Sequence, residues 1–247
     1  MPSRNLTTIF FDIDDTLFST TVFAEKARRN AVEAMIRAGI RADRELLLKE
    51  LNEVIAEFSS NYDKHFDKLM LRIPPSSYAG MNPAFLVASG VMAYHETKSQ
   101  ELKVHDDAYL LLRDLARTRI RLGIISAGLT IKQMEKIVRL KIYEFLDPMA
   151  IFISEQMGIS KPNPKIYLKA CQELGISPES AMYVGDHPKN DIDPPKKIGM
   201  ITVWHRRGGS KHIQEAAQSI PDYTVTNFLE LREILVRDFG LDLSAGS

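Results

Sequence analysis

Residues able to do acid–base and phosphate chemistry stand directly after apolar runs of this 247-residue chain. The first group is Asp12-Ile13-Asp14-Asp15-Thr16, which follows two phenylalanines. In an extended chain, side chains two residues apart share a face, so Asp12 and Asp14 are expected to point the same way. Two like charges on one face repel unless a cation, a proton or a substrate offsets them. Taken alone, this group is as typical of a capped turn as of a reaction site.

Three further groups follow later apolar runs. They are Ser126-Ala127-Gly128, Ser160-Lys161-Pro162 and the segment 184–191, which contains Gly185, Asp186 and Asp191. A hydroxyl group and backbone N–H groups can hold an anion, and a lysine can be a fixed cation for phosphate. Each group also has a purely structural interpretation that involves no chemistry: a helix cap, a solvated surface lysine or a polar loop.

The runs that precede these groups predict strands. Five short stretches are rich in β-branched or aromatic residues: Thr8–Phe11, Leu122–Ile125, Ala150–Ile153, Ala181–Val184 and Met200–Trp204. Their nearly continuous apolarity favours strands buried on both faces of a parallel sheet, with helical patterns between the later runs. We therefore predict an α/β, Rossmann-like parallel sheet core. In such sheets ligands bind at the carboxyl ends of the strands, where these groups lie.

The region between the first two runs breaks this alternation. From about residue 18 to residue 100 the apolar residues recur at helical spacing, and no strand is predicted. We expect an inserted helical-bundle domain at 18–100, a discontinuous core at 1–17 and 101–240, and a small polar tail at 241–247 that frays.

Composition excludes several classes of protein. Lysine plus arginine and aspartate plus glutamate number 32 each, so bulk charge does not predict a nucleic-acid partner. One cysteine, Cys171, excludes an intrachain disulfide and a thiolate zinc site, which fits a reducing compartment. No apolar run approaches the ~18 residues of a membrane span. We expect a cytoplasmic protein with no membrane partner.

Taken together and in order, the four groups resemble the haloacid dehalogenase superfamily of phosphatases. That family shows Asp-x-Asp-x-Thr, then Ser or Thr, then Lys, then Gly-Asp followed by a further Asp. The helical insert looks like the small helical cap of the family. The opening of this insert and the stretch Tyr94-His95-Glu96-Thr97-Lys98 look most like archaeal-type members, in a branch that includes glyceraldehyde 3-phosphate phosphatases. Asp15 stands where many members carry glycine.

The resemblance implies a role for each group. Asp12 would attack phosphorus and form an aspartyl-phosphate, and Asp14 would protonate the leaving alcohol and then deprotonate water. The remaining residues would hold the phosphate and orient the loop: Thr16, Ser126, Ala127, Gly128 and Lys161.

Charge balance then calls for a metal ion. Ionised Asp12, Asp186 and Asp191, together with a phosphate of about −1.5 to −2, far exceed the single positive charge of Lys161. Oxygen ligands select a hard cation, and Mg²⁺ fits. By resemblance its ligands would be the carboxylates of Asp12 and Asp186, the backbone carbonyl of Asp14, and Asp191 directly or through water.

Alternatives stay open at this point. A phosphomutase would use the same residues, and a non-catalytic phospho-acceptor module would use part of them. The substrate is expected to be a small phosphorylated metabolite, chosen by the cap. The polar candidates there, most of which also fit solvated helix faces, are Arg28, Arg29, Tyr62, Lys64 and His65. We expect His187 to be a loop residue, Asp193 a cap or surface acid, and the protein a monomer or homodimer.

Overall fold

Six parallel strands form one sheet in the order β3-β2-β1-β4-β5-β6. The computed structural model describes residues 5–208, 212 and 214–244. The strands are β1 (Thr8–Phe11), β2 (Arg121–Ser126), β3 (Ile151–Ile153), β4 (Ala181–Gly185), β5 (Ile201–His205) and β6 (Tyr223–Val225). The central strand β1 is buried throughout, as its unbroken apolar sequence predicts.

The register aligns the carboxyl ends of the three central strands. Phe11 of β1 is paired with Ile124 of β2 on one side and with Val184 of β4 on the other. The residues that follow these strands therefore start from neighbouring positions at one edge of the sheet.

Helices alternate with the strands after β1. The helices of the part of the chain that forms the sheet are α5 (Asp106–Leu115), α6 (Thr130–Arg139), α7 (Ser154–Met157), α8 (Lys165–Glu173), α9 (Asp193–Lys197) and α10 (Phe228–Phe239). Apolar residues of α8 pack with β1, β3 and β4 in one buried cluster that includes Phe10, Phe152, Ile166 and Tyr183. The predicted α/β class with a parallel sheet is confirmed.

A helical unit occupies the chain between β1 and α5. Its helices are α1 (Thr20–Arg37), α2 (Arg44–Phe58), α3 (His65–Arg72) and α4 (Pro83–Glu101). Two of them begin at residues whose side chains accept a backbone hydrogen bond: Asp43 from Leu46 N, and Asn82 from Ala84 N. A separate apolar cluster fills this unit, with Met35, Leu47, Leu51, Leu69 and Leu86 fully or nearly fully buried.

The described chain divides into two compact units. One is Val22–Leu102, and the other comprises the described residues on either side of it. The predicted boundaries at residues 18 and 100 lie a few residues before these positions. That the helical unit acts as a cap stays a prediction.

Two details differ from the sequence-based expectations. The short strand β6 was not predicted. The predicted fraying of the tail from residue 241 is also wrong at Leu243, which is buried and whose carbonyl oxygen accepts a hydrogen bond from Arg232. Residues 245–247 of that tail lie outside the described residues. No helix in the described part of the chain is long and apolar enough to cross a lipid bilayer.

Candidate active site

Asp12 follows the last residue of the central strand and is only 7% exposed. Its backbone N–H donates to Val184 O at 2.9 Å, which continues the pairing of β1 with β4 by one residue. Its carboxylate oxygen Oδ1 accepts a hydrogen bond from Lys161 Nζ at 2.7 Å. Burial raises the pKa of Asp12 to about 6, although the Lys161 ammonium acts in the opposite direction.

Lys161 joins two of the predicted acids. Its Nζ atom donates to Asp12 Oδ1 at 2.7 Å and to Asp191 Oδ1 at 2.8 Å, and its side chain is 3% exposed. Burial alone would lower the pKa of this lysine, but the two carboxylates outweigh burial and hold the pKa well above its usual range. Lys161 is therefore a fixed, buried cation.

Tyr183 of β4, which the sequence analysis did not single out, anchors that cation. Its hydroxyl group accepts from Lys161 Nζ at 2.8 Å and donates to Ile125 O of β2 at 2.7 Å. An interior tyrosine in an apolar strand carries no sequence signal of this contact, because its neighbours are apolar.

Asp186 and Asp191 complete a buried group of carboxylates with Asp12. One oxygen atom of each carboxylate lies within 4.8 Å of one from the others, and all three residues are buried. Trp204 Nε1 donates to the backbone carbonyl of Asp186 at 2.9 Å. Asp191 Oδ2 accepts from His187 N at 3.0 Å. These contacts fix the loop after β4.

A glycine at the end of β4 makes room for Asp191. A Cβ atom at Gly185 would lie 2.5 Å from the side chain of Asp191, closer than any carbon contact allows. Asp191 itself lies in a π-helical segment, Pro188–Ile192. Such segments are frequent at functional sites.

The three carboxylates fit a hard divalent cation. All the donors are oxygen atoms, they lie close together, and one ammonium group balances only part of their charge. The residues present are therefore suited to Mg²⁺. The role of the Asp14 backbone carbonyl as a ligand stays a prediction.

Ser126 is the last residue of β2, and Gly128 follows that strand by two residues. Ser126 Oγ is buried and lies 3.3 Å from Gln133 Nε2. The Gly128 N–H donates to Ser154 Oγ at 2.9 Å. The roles of Ser126, Ala127 and Gly128 in holding phosphate stay predictions.

The carboxylate of Asp14 pairs with a different lysine from that of Asp12. Lys136 Nζ donates to its Oδ1 at 2.6 Å and to its Oδ2 at 2.7 Å. Thr20 Oγ1 donates to Oδ1 at 2.5 Å, and Gln133 Nε2 donates to Oδ2 at 3.1 Å. Burial would raise the pKa of Asp14, but Lys136 and these hydrogen bonds lower it below its ordinary value.

The next two residues of this loop stabilise its turn. Asp15 has a φ of +52°, and its carboxylate accepts from the N–H and the hydroxyl group of Thr21, at 2.9 and 2.7 Å. The left-handed backbone at Asp15 ends the extended conformation. That Asp12 and Asp14, which precede this turn, point the same way stays a prediction. Thr16 is fully buried, in keeping with a part in shaping the loop.

Two other residues singled out by the sequence have structural contacts. Asp193 is buried, not on the surface, and accepts hydrogen bonds from the N–H groups of Gln218 and Ser219. The ring of His187 stacks on that of His212 with 3.8 Å between the centroids.

Three of the polar candidates of the helical unit, Arg28, Tyr62 and His65, have neighbours within that unit. Tyr62 stacks on Phe58 with 5.0 Å between ring centroids, and His65 Nε2 lies 2.8 Å from Ser59 O. Burial lowers the pKa of Arg28, which the neighbouring Tyr94 partly offsets. A role of these residues in substrate choice stays a prediction.

Comparison with known proteins finds relatives over nearly the whole chain. Residues 9–205 match the family model of the haloacid dehalogenase-like hydrolases. The chain is 41% identical to a glyceraldehyde 3-phosphate phosphatase of Methanopyrus kandleri, over 95% of this chain and 98% of that one. It is 40% identical to a glyceraldehyde 3-phosphate phosphatase of Pyrococcus furiosus, over 97% of each chain.

The same fold occurs in solved structures. The crystal structure of a HAD phosphatase from Thermococcus onnurineus superposes with a TM-score of 0.67 at 22% identity, covering 93% of this chain and 98% of that one. The chain belongs to the haloacid dehalogenase-like hydrolases, and the family suggested by its motifs is confirmed.

Proposed function

We propose that the chain is a Mg²⁺-dependent phosphatase that hydrolyses a small phosphate monoester through an aspartyl-phosphate on Asp12. The observation that carries the proposal is the buried cluster at the end of β1 and β4. In it, three carboxylates lie within 4.8 Å of one another, and Lys161 bridges two of them. A nucleophilic carboxylate, a fixed cation and a set of oxygen ligands are what phosphoryl transfer to an aspartate requires.

The first step transfers the phosphoryl group to the enzyme. The Asp12 carboxylate attacks phosphorus while the bond to the alcohol oxygen breaks. Asp14, which must first take up a proton that its contact with Lys136 disfavours, gives that proton to the alcohol oxygen. Lys161 and the Ser126 hydroxyl group hold phosphoryl oxygens, where charge spreads in the transition state. When bound by Asp12, Asp186 and Asp191, Mg²⁺ supplies positive charge against the substrate phosphate.

The second step regenerates the enzyme. A water molecule attacks phosphorus and passes a proton to Asp14, and the bond between phosphorus and Asp12 breaks. Inorganic phosphate leaves, and both carboxyl groups return to their starting states.

The substrate is proposed from the relatives. Two of them, at 40–41% identity over nearly their whole length, are glyceraldehyde 3-phosphate phosphatases. Glyceraldehyde 3-phosphate is therefore the first candidate, and we place the choice of substrate in the helical unit. The rest of the proposal is a cytoplasmic enzyme, monomeric or homodimeric, with no nucleic-acid partner. The equal numbers of acidic and basic residues and the single cysteine support it.

The test is the variant Asp12→Asn, assayed for phosphate release from glyceraldehyde 3-phosphate and p-nitrophenyl phosphate with saturating Mg²⁺. We expect turnover to be abolished, and wild-type turnover to stop in EDTA. Asp238→Asn, at an exposed ion pair on α10, is the matched control and should keep full activity.

Three results would redirect the proposal. Phosphate release from Asp12→Asn at the wild-type rate would exclude Asp12 as the nucleophile. A single stoichiometric burst from the wild-type protein would instead indicate the phospho-acceptor module. Transfer of the phosphoryl group to a second sugar position, seen by product analysis, would indicate the phosphomutase.

A further inference from the structure

Lys136 and Gln133 face the second acid of the loop from one side of α6. They are three residues apart, which places them on neighbouring turns of one helix face. Both side chains contact Asp14. Within residues 5–208, 212 and 214–244, neither has a described contact with Asp12, Asp186, Asp191 or Lys161.

The carboxylate of Asp14 is saturated with donors. Oδ1 accepts from Lys136 and Thr20, and Oδ2 accepts from Lys136 and Gln133, at 2.5 to 3.1 Å. An ionised carboxylate has about four lone-pair sites, so these four hydrogen bonds fix both its rotation and its position, and one of them gives way when Asp14 takes up its proton. The Lys136 contact is the strongest of them because it is charge-assisted and reaches both oxygens.

The donors are themselves held in place. Gln133 is buried, and its Nε2 atom also donates to Ala127 O at 2.6 Å and lies 3.3 Å from Ser126 Oγ. Lys136 Nζ lies 5.9 Å from the centre of the Phe18 ring, at a distance typical of a cation–π contact. The pair therefore links the acid of the β1 loop to the phosphate-binding residue of β2.

We propose that Lys136, assisted by Gln133, is a positioning residue that fixes the Asp14 carboxyl group for proton transfer to the leaving group. The inference rests on the proposed function. Lys136 does not touch the substrate; it acts through Asp14. A proton donor must lie within hydrogen-bond reach of the atom it protonates, and loss of its support costs rate even when the donor itself is intact.

This role predicts a dependence on the leaving group. An alkoxide leaves poorly without a proton, whereas p-nitrophenolate is stable enough to leave without one. The value of kcat/KM covers only the steps up to release of the leaving group. Misplacing Asp14 must therefore lower kcat/KM for an alkyl phosphate far more than for p-nitrophenyl phosphate.

The experiment compares Lys136→Met with the wild type on glyceraldehyde 3-phosphate and p-nitrophenyl phosphate, with saturating Mg²⁺. We expect kcat/KM to fall at least tenfold for the first substrate and less than threefold for the second. The loss for glyceraldehyde 3-phosphate should lie in kcat, with KM little changed. Lys136→Arg, which keeps the charge and donors, should recover most of it.

A control removes an ammonium group elsewhere. Lys169→Met on α8 breaks a 3.7 Å ion pair with Glu173 of the same helix and should leave both substrates unaffected. If Lys136→Met does not fold, as judged by circular dichroism, Lys136→Gln replaces it and must show the same difference between substrates.

The outcomes separate this inference from the proposed function. Equal losses for both substrates, or none for either, would overturn the positioning role while Asp12→Asn remains inactive. Activity in Asp12→Asn would instead overturn the proposed function itself.

Discussion

At the scale of single residues, charge decides what the site can bind. Asp12, Asp186 and Asp191 are buried together, and Lys161 balances one of their three charges when all are ionised. Buried like charges are costly unless a cation or a proton compensates them. Asp14 stands apart from this cluster because it has its own ammonium group, that of Lys136. The structure thus gives the proposed acid–base residue and the proposed nucleophile different cations.

His205, the last residue of β5, gives a pH-dependent contribution to stability. It is fully buried, its ring lies 4.7 Å from that of Phe228, and neither ring nitrogen has a hydrogen-bond partner among the described residues. Burial, reinforced by Arg207 and His105, lowers the pKa of His205 to about 3. The folded protein therefore keeps this imidazole neutral.

We predict that His205 makes the protein lose stability in acid. Below its ordinary pKa of 6.5 an unfolded His205 binds a proton, whereas the folded form does not until the pH reaches about 3. Its contribution is complete above pH 6.5 and is lost as the pH falls toward 3, at about 1.4 kcal/mol per pH unit. Urea unfolding of His205→Phe between pH 6.5 and 4 should show a correspondingly smaller slope than the wild type.

The exposed His95 provides the comparison for that measurement. His95→Phe should keep the wild-type dependence on pH. If His205→Phe and the wild type lose stability in parallel, the buried imidazole does not contribute.

At the scale of elements, the junction of β4 and the π-helical segment sets the position of Asp191. We predict that Gly185→Ala displaces Asp191, because the added Cβ atom would lie 2.5 Å from its carboxylate. Phosphatase activity should fall at least 100-fold, and the free energy of unfolding should fall by about 1–3 kcal/mol. Phosphate-release assays and urea denaturation measure the two effects.

Gly208→Ala is the matched control for this substitution. Nothing lies within 4 Å of a Cβ atom built at Gly208, and no left-handed backbone is required there. It should leave activity and stability unchanged. Full activity in Gly185→Ala would show that the turn relaxes without moving the acid.

The apolar runs were sufficient to predict five of the strands, because a strand buried on both faces has few polar residues. They did not reveal β6, since Tyr223–Val225 has three residues and only Val225 is buried. Helix α6 shows a second limit. Its apolar residues include Met134, Ile137 and Val138, but the buried residues are Gln133 and Ile137, and Val138 is 65% exposed.

The residues of the candidate site were likewise predictable from the sequence only in part. The order of Asp12, Ser126, Lys161 and Asp186 along the chain, with their family resemblance, was enough to select them. Lys136 and Tyr183 were missed because their importance depends on which carboxylate or ammonium each one faces. That information arises only when helix and strand are packed, so a single sequence does not contain it in readable form.

At the scale of the whole molecule, two separate apolar clusters support two units. The cluster around Leu51 lies within Val22–Leu102, and the cluster around Ile166 lies within the sheet unit. Leu51 and Ile166 are both fully buried. Each cluster consists of residues from its own unit, so each unit has its own source of hydrophobic stabilisation.

We predict that core truncations act within one unit. Leu51→Ala should cost about 2–5 kcal/mol and should speed amide hydrogen exchange in Val22–Leu102 while sparing the sheet. Ile166→Ala should do the reverse. Hydrogen exchange followed by mass spectrometry gives both patterns. Uniform acceleration along the chain in either variant would show that the units open together.

The pairing of Lys161 with Asp12 also bears on when the site can form during translation. These partners are 149 residues apart in the chain, and Asp191 follows another 30 residues later. During translation Asp12 emerges before Lys161 and Asp191 are synthesised. A chain released between these points carries the proposed nucleophile without the ammonium group and the carboxylate that surround it in the folded protein.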